Sequence, residues 1–361
     1  LWCATLSRKR GDKVIWTPEL DERLILLRKS LSQRSVAERL TQEFGITITR
    51  DMVRHREEAI RRGEHIRSEG NLFPDYAYTA HKNFTHIDEK LERMREIYDT
   101  FAGKKCFILS FSDLHSPLID FVMIDHVLKK YQPIIEQKRR EGYVIIILLN
   151  GDIFDFSQMS KFAKGKHRIN VKEEIKLAQE LINVCCQIAD YCVALLGNHD
   201  ARLYQYIARL AEKDPEVIEY MEEKLDPLKE IEHKNFMYIN HIELQIGGMV
   251  FVHPFTFSKV AMRTAQNVKN AILANRDMMP NPQKIQGICM GHTHQVGYYL
   301  ENGVLLIEQG HASHDPDYRL ERKTDRKWVK GYAVIQLDEN GDIDLEETRA
   351  IPYVERKEAL A

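Results

Sequence analysis

Five short clusters of acid, amide and imidazole each close an apolar run of this 361-residue chain: Asp113-Leu114-His115, Gly151-Asp152-Ile153-Phe154-Asp155, Gly197-Asn198-His199-Asp200, His253 and Gly291-His292-Thr293-His294. Carboxylate, amide oxygen and imidazole nitrogen are the donors that borderline divalent metals accept. Their supply from five places over roughly 180 residues points to one site assembled by folding. A lone D-x-H or G-D-x-x-D is a weak signal. The G-N-H-D and G-H-x-H blocks are stronger, and the weight lies in all five occurring together, each after a strand-like run.

Such a donor set suits phosphate-ester chemistry. The phosphoryl group is anionic and water is a poor nucleophile at neutral pH; two metals about 3.5–4 Å apart acidify a bridging water and neutralise phosphoryl oxygens. The order of the blocks, D-x-H, G-D-x-x-D, G-N-H-D, H and G-H-x-H, resembles the calcineurin-like metallophosphoesterase family over roughly residues 105–340. The resemblance implies an α/β fold, a metallophosphoesterase-type β-sandwich flanked by helices, and a hydrolase with a dinuclear metal centre. It matches Asp152 to the carboxylate that bridges two metals. Asp113, His115 and His294 match the ligands of one metal, and Asn198, His253 and His292 those of the other. His199 follows a ligand without matching one; in the family this histidine faces the leaving-group oxygen as general acid or charge stabiliser. Asp155 matches the acid that pairs with it, and a carboxylate there is expected to raise the imidazole pKa and fix its tautomer.

Several positions keep two readings. The family usually has His-Gly where this chain has His253-Pro254, and His241 competes for the role. The Val250-Phe251-Val252 run favours His253. Arg202 is a candidate to grip a substrate phosphate as a planar fork, or is a solvated helix residue. His311 and His314 follow a later strand and either line the cleft or are surface histidines without a function, the second reading being preferred. A nitrogen and oxygen shell admits Mn, Fe, Zn or Ni, with Mn favoured.

The elements that must position these residues alternate from Cys106 onward. Apolar runs at 107–111, 144–149 and 192–196 read as strands, and 119–138 and 172–189 as helices. Such alternation predicts a mixed sheet with functional loops beyond strand carboxyl ends. Residues 201–232 read as a charged helical insertion. Then 236–246, 250–252, 288–290, 304–307 and 332–337 read mainly as strands, with Asn340-Gly341 as a hairpin turn. The 201–232 and 255–285 stretches are where substrate specificity is expected.

The first 65 residues differ. Thr17-Pro18-Glu19 is a helix start, and Leu20, Leu24, Leu27 and Leu31 recur at helical spacing. Further helices are expected near Ser35–Phe44 and Thr49–Arg62, the last carrying Arg50, Arg54, Arg56, Arg61 and Arg62. This resembles a helix-turn-helix or Myb-like unit, and implies DNA as a partner. Interleaved Asp51, Glu57 and Glu58 leave a solvated three-helix adapter as the other reading. The expected division is therefore a helical domain at 1–65, a linker and helix at 66–104, and the phosphoesterase domain at 105–361.

Composition sets outer bounds. A net charge of -2 excludes wholesale electrostatic binding to nucleic acid, although residues 1–70 carry 15 Lys/Arg against 11 Asp/Glu. Six cysteines without a C-x-x-C pair read as mostly buried free thiols, which fits a reducing cytoplasm. The longest apolar stretch, Tyr143–Leu149, is too short for a bilayer. No membrane partner and no signal peptide are expected; an amino terminus upstream of Leu1 is, since the chain does not open on Met. Taken together, the chain reads as a metal-dependent phosphodiesterase or nuclease acting on DNA. The alternatives are a phosphomonoesterase with a docking module, and a DNA-binding regulator with an inactive esterase domain.

Overall fold

Helical spacing at the start of the chain and continuous apolar runs after residue 105 fold as two compact units, Leu1–Lys82 and Asn83–Ala361. The structure, a computed structural model, describes residues 16–28, 31–61, 90–160, 170–211, 214–229, 231–258, 260–314 and 328–354.

In the first unit, α1 (Pro18–Arg28), α2 (Gln33–Phe44) and α3 (Arg50–Arg61) form where the leucine spacing requires. Thr17 Oγ1 accepts from the Leu20 amide, and Ser32 caps α2 through the Ser35 amide. Gly45, at φ 65°, ends α2 in the left-handed conformation that a β-carbon disfavours. Leu20, Leu24, Val36, Ala37, Leu40 and Val53 make the core. Arg56 is not free for a ligand: its guanidinium makes a paired contact to the buried Asp21 carboxylate at 2.8 and 2.5 Å. Arg54 lies 3.5 Å from Asp51. The expected linker and Arg62 fall outside the described residues.

The second unit opens with a helix over residues 90–101, α4, whose Met94 and Ile97 are buried. Then come β1 (Cys106–Phe111), α5 (Phe121–Arg140), β2 (Val144–Asn150), α6 (Val171–Ile188), β3 (Tyr191–Leu195), α7 (Ala201–Leu210), α8 (Pro215–Leu225) and β4 (Phe236–Ile239). They continue with β5 (Glu243–Ile246), β6 (Met249–Val252), α9 (Arg263–Ala274), β7 (Gly287–Met290), β8 (Val296–Glu301), β9 (Val304–Gln309), β10 (Gly331–Leu337) and β11 (Arg349–Pro352). Two sheets result, ordered β11-β10-β1-β2-β3-β4 and β5-β6-β7-β9-β8. β1 to β4 are parallel in the first, and β6, β7 and β9 in the second.

The continuous apolar runs have a physical cause. In β2, Ile145, Ile147 and Leu149 enter the core under α5 and α6, while Ile146 and Leu148 enter the core shared with the second sheet. A strand buried on both faces loses the alternation of a half-exposed one. Both cores meet at this strand, and the loops beyond its carboxyl end sit over the seam between the sheets.

Some expectations change. Residues 236–246 are two strands, because the chain leaves the first sheet after Ile239 and enters the second at Glu243. Edge strands β8 and β11 escaped the sequence reading; β8 alternates half-buried and exposed residues around Gly297, and β11 ends in Pro352. Asn340-Gly341 lies in a hairpin turn as expected: the Gly341 amide donates to the Asp338 carbonyl, and Leu337 pairs antiparallel with Ile343 across it. Cys106, Cys185, Cys186, Cys192 and Cys289 are buried free thiols; Cys3 lies outside the described residues. Among the described residues no helix is long and apolar enough to cross a membrane.

Candidate metal centre

Each cluster lies directly beyond a parallel strand: 112–115 after β1, 151–155 after β2, 197–200 after β3, His253 after β6 and 291–294 after β7. The backbone there is unusual. Asp113, His115, Asp152, His292 and His294 have φ of 54°, 47°, 51°, 75° and 56°. Non-glycine residues in that region cost about 1–3 kcal/mol each and persist only where surrounding contacts over-determine them. The contacts are present: the Asp113 amide donates to the Gly151 carbonyl, the His115 amide to Asp152, and the Ser116 amide to Ile153, stitching the first loop to the second.

The two buried carboxylates are arranged alike. Asp113 Oδ2 accepts from Ser112 Oγ at 2.6 Å and from the His292 amide at 2.9 Å. Its Oδ1 faces His294 Nε2 at 3.0 Å, His115 Nε2 at 3.7 Å and His253 Nε2 at 3.9 Å. Asp152 Oδ1 accepts from the His199 amide at 2.7 Å, and Oδ2 faces His253 Nε2 at 3.2 Å and His115 Nε2 at 3.9 Å. One oxygen of each carboxylate is thus tied to the scaffold and the other is presented to the imidazoles. His253 Nδ1 donates to the Asn150 carbonyl at 2.8 Å, which fixes the ring and aims Nε2 inward.

The glycines of the motifs make this approach possible. A β-carbon at Gly197 would overlap Asp152 Oδ1 and the Asp152 amide nitrogen, and one at Gly291 would overlap Ser112 Oγ. Asp200 accepts from the Phe154 amide at 2.8 Å and the Gly197 amide at 2.7 Å, locking the β2 and β3 loops together.

Whether these residues fit a metal is answered by their unmet polar atoms. Of nine buried side-chain polar atoms without a hydrogen-bond partner among the described residues, six belong to this cluster: Asp113 Oδ1, His115 Nδ1, Asn198 Oδ1, His253 Nε2, His292 Nε2 and His294 Nδ1. Leaving such groups unmet in a core costs about 1–3 kcal/mol each, more when charged, so a cation is the fitting complement. Potential ligand atoms within 4.8 Å of one another group as Asp113, His115 and His294, and as Asp152, His253 and His292; His115, Asp152 and His199 also fall within that limit.

The electrostatics agree with the contacts. Burial opposes charge on Asp113, yet His294 and His253 hold its carboxyl well below the usual range. Burial also opposes charge on Asp152, which His253 and His199 hold down. Burial disfavours a charged His253, but Asp152 and Asp113 push it up to about 10. Burial and the neighbouring His253 push His292 down to about 4. Two desolvated carboxylates draw in a positive charge, proton or metal alike.

Beside this group, His199 Nδ1 lies 2.7 Å from Asp155 Oδ1. Arg202 donates to the Asp155 carbonyl at 2.6 Å and sits 2.8 Å from His199 Nε2. The expected upward pKa shift of His199 is not found. Burial, together with His115 and Arg202, outweighs Asp152 and Asp155 and lowers it. His241 is elsewhere, its Nδ1 accepting from the Glu243 amide. His311 is a correction of a different kind. It is 1% exposed and stacks on His294 with ring centroids 4.9 Å apart, so it supports the site from beneath and is no surface residue. His314 is largely exposed.

The calcineurin-like phosphoesterase family model matches residues 108–296, a span holding every cluster from Asp113 to His294. The chain belongs to the calcineurin-like phosphoesterase family. It is a hydrolase of phosphate esters whose His and Asp clusters can hold metal. Among solved structures it is similar to vacuolar protein sorting 29 from Cryptosporidium parvum, at 12% identity and TM-score 0.34, covering 70% of this chain and 100% of that one. It is also similar to a novel archaeal phosphodiesterase, at 16% identity and TM-score 0.30, covering 68% and 99%. No curated protein sequence matches.

Sequence reasoning missed Glu174, Trp328 and Phe257. Glu174, on α6, accepts the Asp155 and Phe156 amides at 2.7 and 2.6 Å through one oxygen. The rings of Trp328 and His294 are 4.5 Å apart, and those of Phe257 and His292 are 6.1 Å apart. No ligand-type pattern marks any of the three.

Proposed function

We propose that the chain is a phosphodiester hydrolase of DNA working with two divalent cations. Asp113, His115 and His294 hold one, and Asn198, His253 and His292 the other, with Asp152 shared. Mn is favoured over Fe, Zn or Ni. The observation that carries this reading is the convergence of the His294, His115 and His253 Nε2 atoms on one oxygen of Asp113 and of Asp152, with Asn198 Oδ1, His253 Nε2 and His292 Nε2 left without a hydrogen-bond partner. When bound, such a pair of cations acidifies water and neutralises phosphoryl oxygens.

The protein's own groups do the rest. His199, oriented by Asp155, supports the departing oxygen of the ester. Arg202 donates toward His199 Nε2 at 2.8 Å, so it must leave that nitrogen before a proton can reside there. An anionic phosphate is the partner that draws a guanidinium away as a two-pronged donor. Arg202 then binds substrate, and its departure frees His199 in the same step.

The first unit is the DNA-binding part, with Arg50 and Arg54 exposed on α3. One observation favours the other reading, a phosphomonoesterase with a docking module: Arg56 is spent on Asp21 inside the three-helix core. Hydrolysis of bis-p-nitrophenyl phosphate against p-nitrophenyl phosphate, with Mn(II) added after chelation, separates the two. Diester preference lost without metal supports the proposal; monoester preference replaces it with the docking module. Steep loss of duplex-DNA affinity between 50 and 200 mM salt is expected if DNA is the substrate.

A further inference from the structure

Ser112, the first residue after β1, is wholly buried, and its hydroxyl faces two acceptors. Oγ lies 2.6 Å from Asp113 Oδ2 and 2.7 Å from the carbonyl oxygen of Asn150, the last residue of β2. That same carbonyl accepts from His253 Nδ1 at 2.8 Å. A serine has one proton to donate, so the carboxylate and the carbonyl share it. Asp113 belongs to one ligand group and His253 to the other. The hydroxyl thus stands between the two groups, one hydrogen bond from the first and two from the second. The Ser112 backbone is pinned as well, its carbonyl accepting the Ala312 amide at 3.0 Å from the chain beyond β9. Packing around the hydroxyl leaves no slack. A β-carbon at Gly291 would overlap Ser112 Oγ and come within 2.8 Å of Asp113 Oδ2 and 2.9 Å of His253 Nδ1. The ends of β1, β2, β6 and β7, two strands from each sheet, meet at this one notch.

We infer that Ser112 is a positioning residue that sets the spacing of the two ligand groups. The inference rests on the two-cation reading above and adds what keeps the two halves of the centre in register. Asp113 spends Oδ2 on the hydroxyl and leaves Oδ1 for the imidazoles; His253 spends Nδ1 on the carbonyl and leaves Nε2 for the same space. Partners of this kind orient the atoms that meet a metal without meeting it themselves. Removing the hydroxyl strips neither acceptor bare. Asp113 Oδ2 keeps the His292 amide at 2.9 Å, and the Asn150 carbonyl keeps His253. Ser112→Ala is therefore expected to fold, with a metal-free Tm close to that of the wild type.

The test titrates the metal-free full chain, wild type and Ser112→Ala, with Mn(II) alone. Calorimetry reads stoichiometry and affinity, and electron paramagnetic resonance at saturating Mn(II) reads whether bound ions are magnetically coupled. The wild type is expected to bind two coupled ions. In Ser112→Ala the affinity for the second ion should fall about 10–100-fold, and the coupled signal should give way to that of isolated Mn(II). The coupled signal separates spacing from packing. Retained in the variant with wild-type affinity, it would overturn the inference, and a lower metal-free Tm beside it would reduce Ser112 to filling the seam. Fewer than two ions, or two uncoupled ions, in the wild type would overturn the two-cation reading, and this inference with it.

Discussion

His115 Nε2 and His294 Nε2 face each other 3.2 Å apart, with Asp113 Oδ1 3.0 Å from the second of them. Two neutral imidazole lone pairs aimed at one another repel unless a proton or a cation lies between them. The loops that bring these rings together come from different sheets, and both residues sit at positive φ. A proton on either nitrogen lets one ring donate to the other, and a cation between them satisfies both.

Metal should then stabilise the fold. At a Mn(II) concentration about 100 times Kd the gain is about 2.7 kcal/mol, visible as a rise in Tm of several degrees by calorimetry. Asp113→Asn should cut that rise by more than half, since the variant keeps the shape of the site and loses its charge. Because imidazoles must be deprotonated to bind, the rise should shrink as pH falls. Equal rises in wild type and variant would refute the assignment of Asp113.

The pair of His199 and Asp155 invites a different measurement. His199→Ala should lower kcat by about 10²–10⁴-fold, with Asp155→Asn falling less, because the asparagine keeps the contact and loses the charge. Metal content by elemental analysis is the control. His199 also lies within ligand distance of His115 and Asp152, so loss of bound metal in His199→Ala would make it a ligand and end its role at the leaving oxygen.

Glu174 gives the protein a pH signature of its own. Burial, aided by the charge of Asp155 and opposed by the Phe156 amide, raises its carboxyl from 4.5 to about 8. The folded state then binds more protons than the unfolded chain between those values, so this group's contribution to stability is present below pH 4.5 and fades as pH rises to about 8. The loss is roughly 2–5 kcal/mol. Urea unfolding of wild type and Glu174→Gln at pH 5 and pH 8 checks it: glutamine can still accept both amides without titrating, so its pH dependence should be flatter. Parallel pH profiles would show that Glu174 does not titrate in this range.

What was legible in the sequence follows from how locally each signal is written. Asp113, His115, Asp152 and His294 announce themselves because ligand chemistry and the preceding buried strand are adjacent in the chain. Glu174 was hidden because its task is to satisfy two amides eighteen and nineteen residues away, which leaves no pattern. Trp328 was hidden because it reaches His294 through a neighbour's hydrogen bond across the sheet. His311 was misread because a histidine after a strand looks the same whether the chain then turns outward or, as here, back under the site. The pKa of His199 was misjudged because a motif displays the neighbouring carboxylate but neither the depth of burial nor Arg202 folded against it.

The donor groups come from both sheets: Asp113, Asp152 and Asn198 ride on the first, His253, His292 and His294 on the second. Cations shared between them would act as removable rivets through the seam of the sandwich. Catalytic competence and the alignment of the two sheets would then be one property, and chelation should quicken amide exchange deep in β2 and β6 as well as in the loops above them.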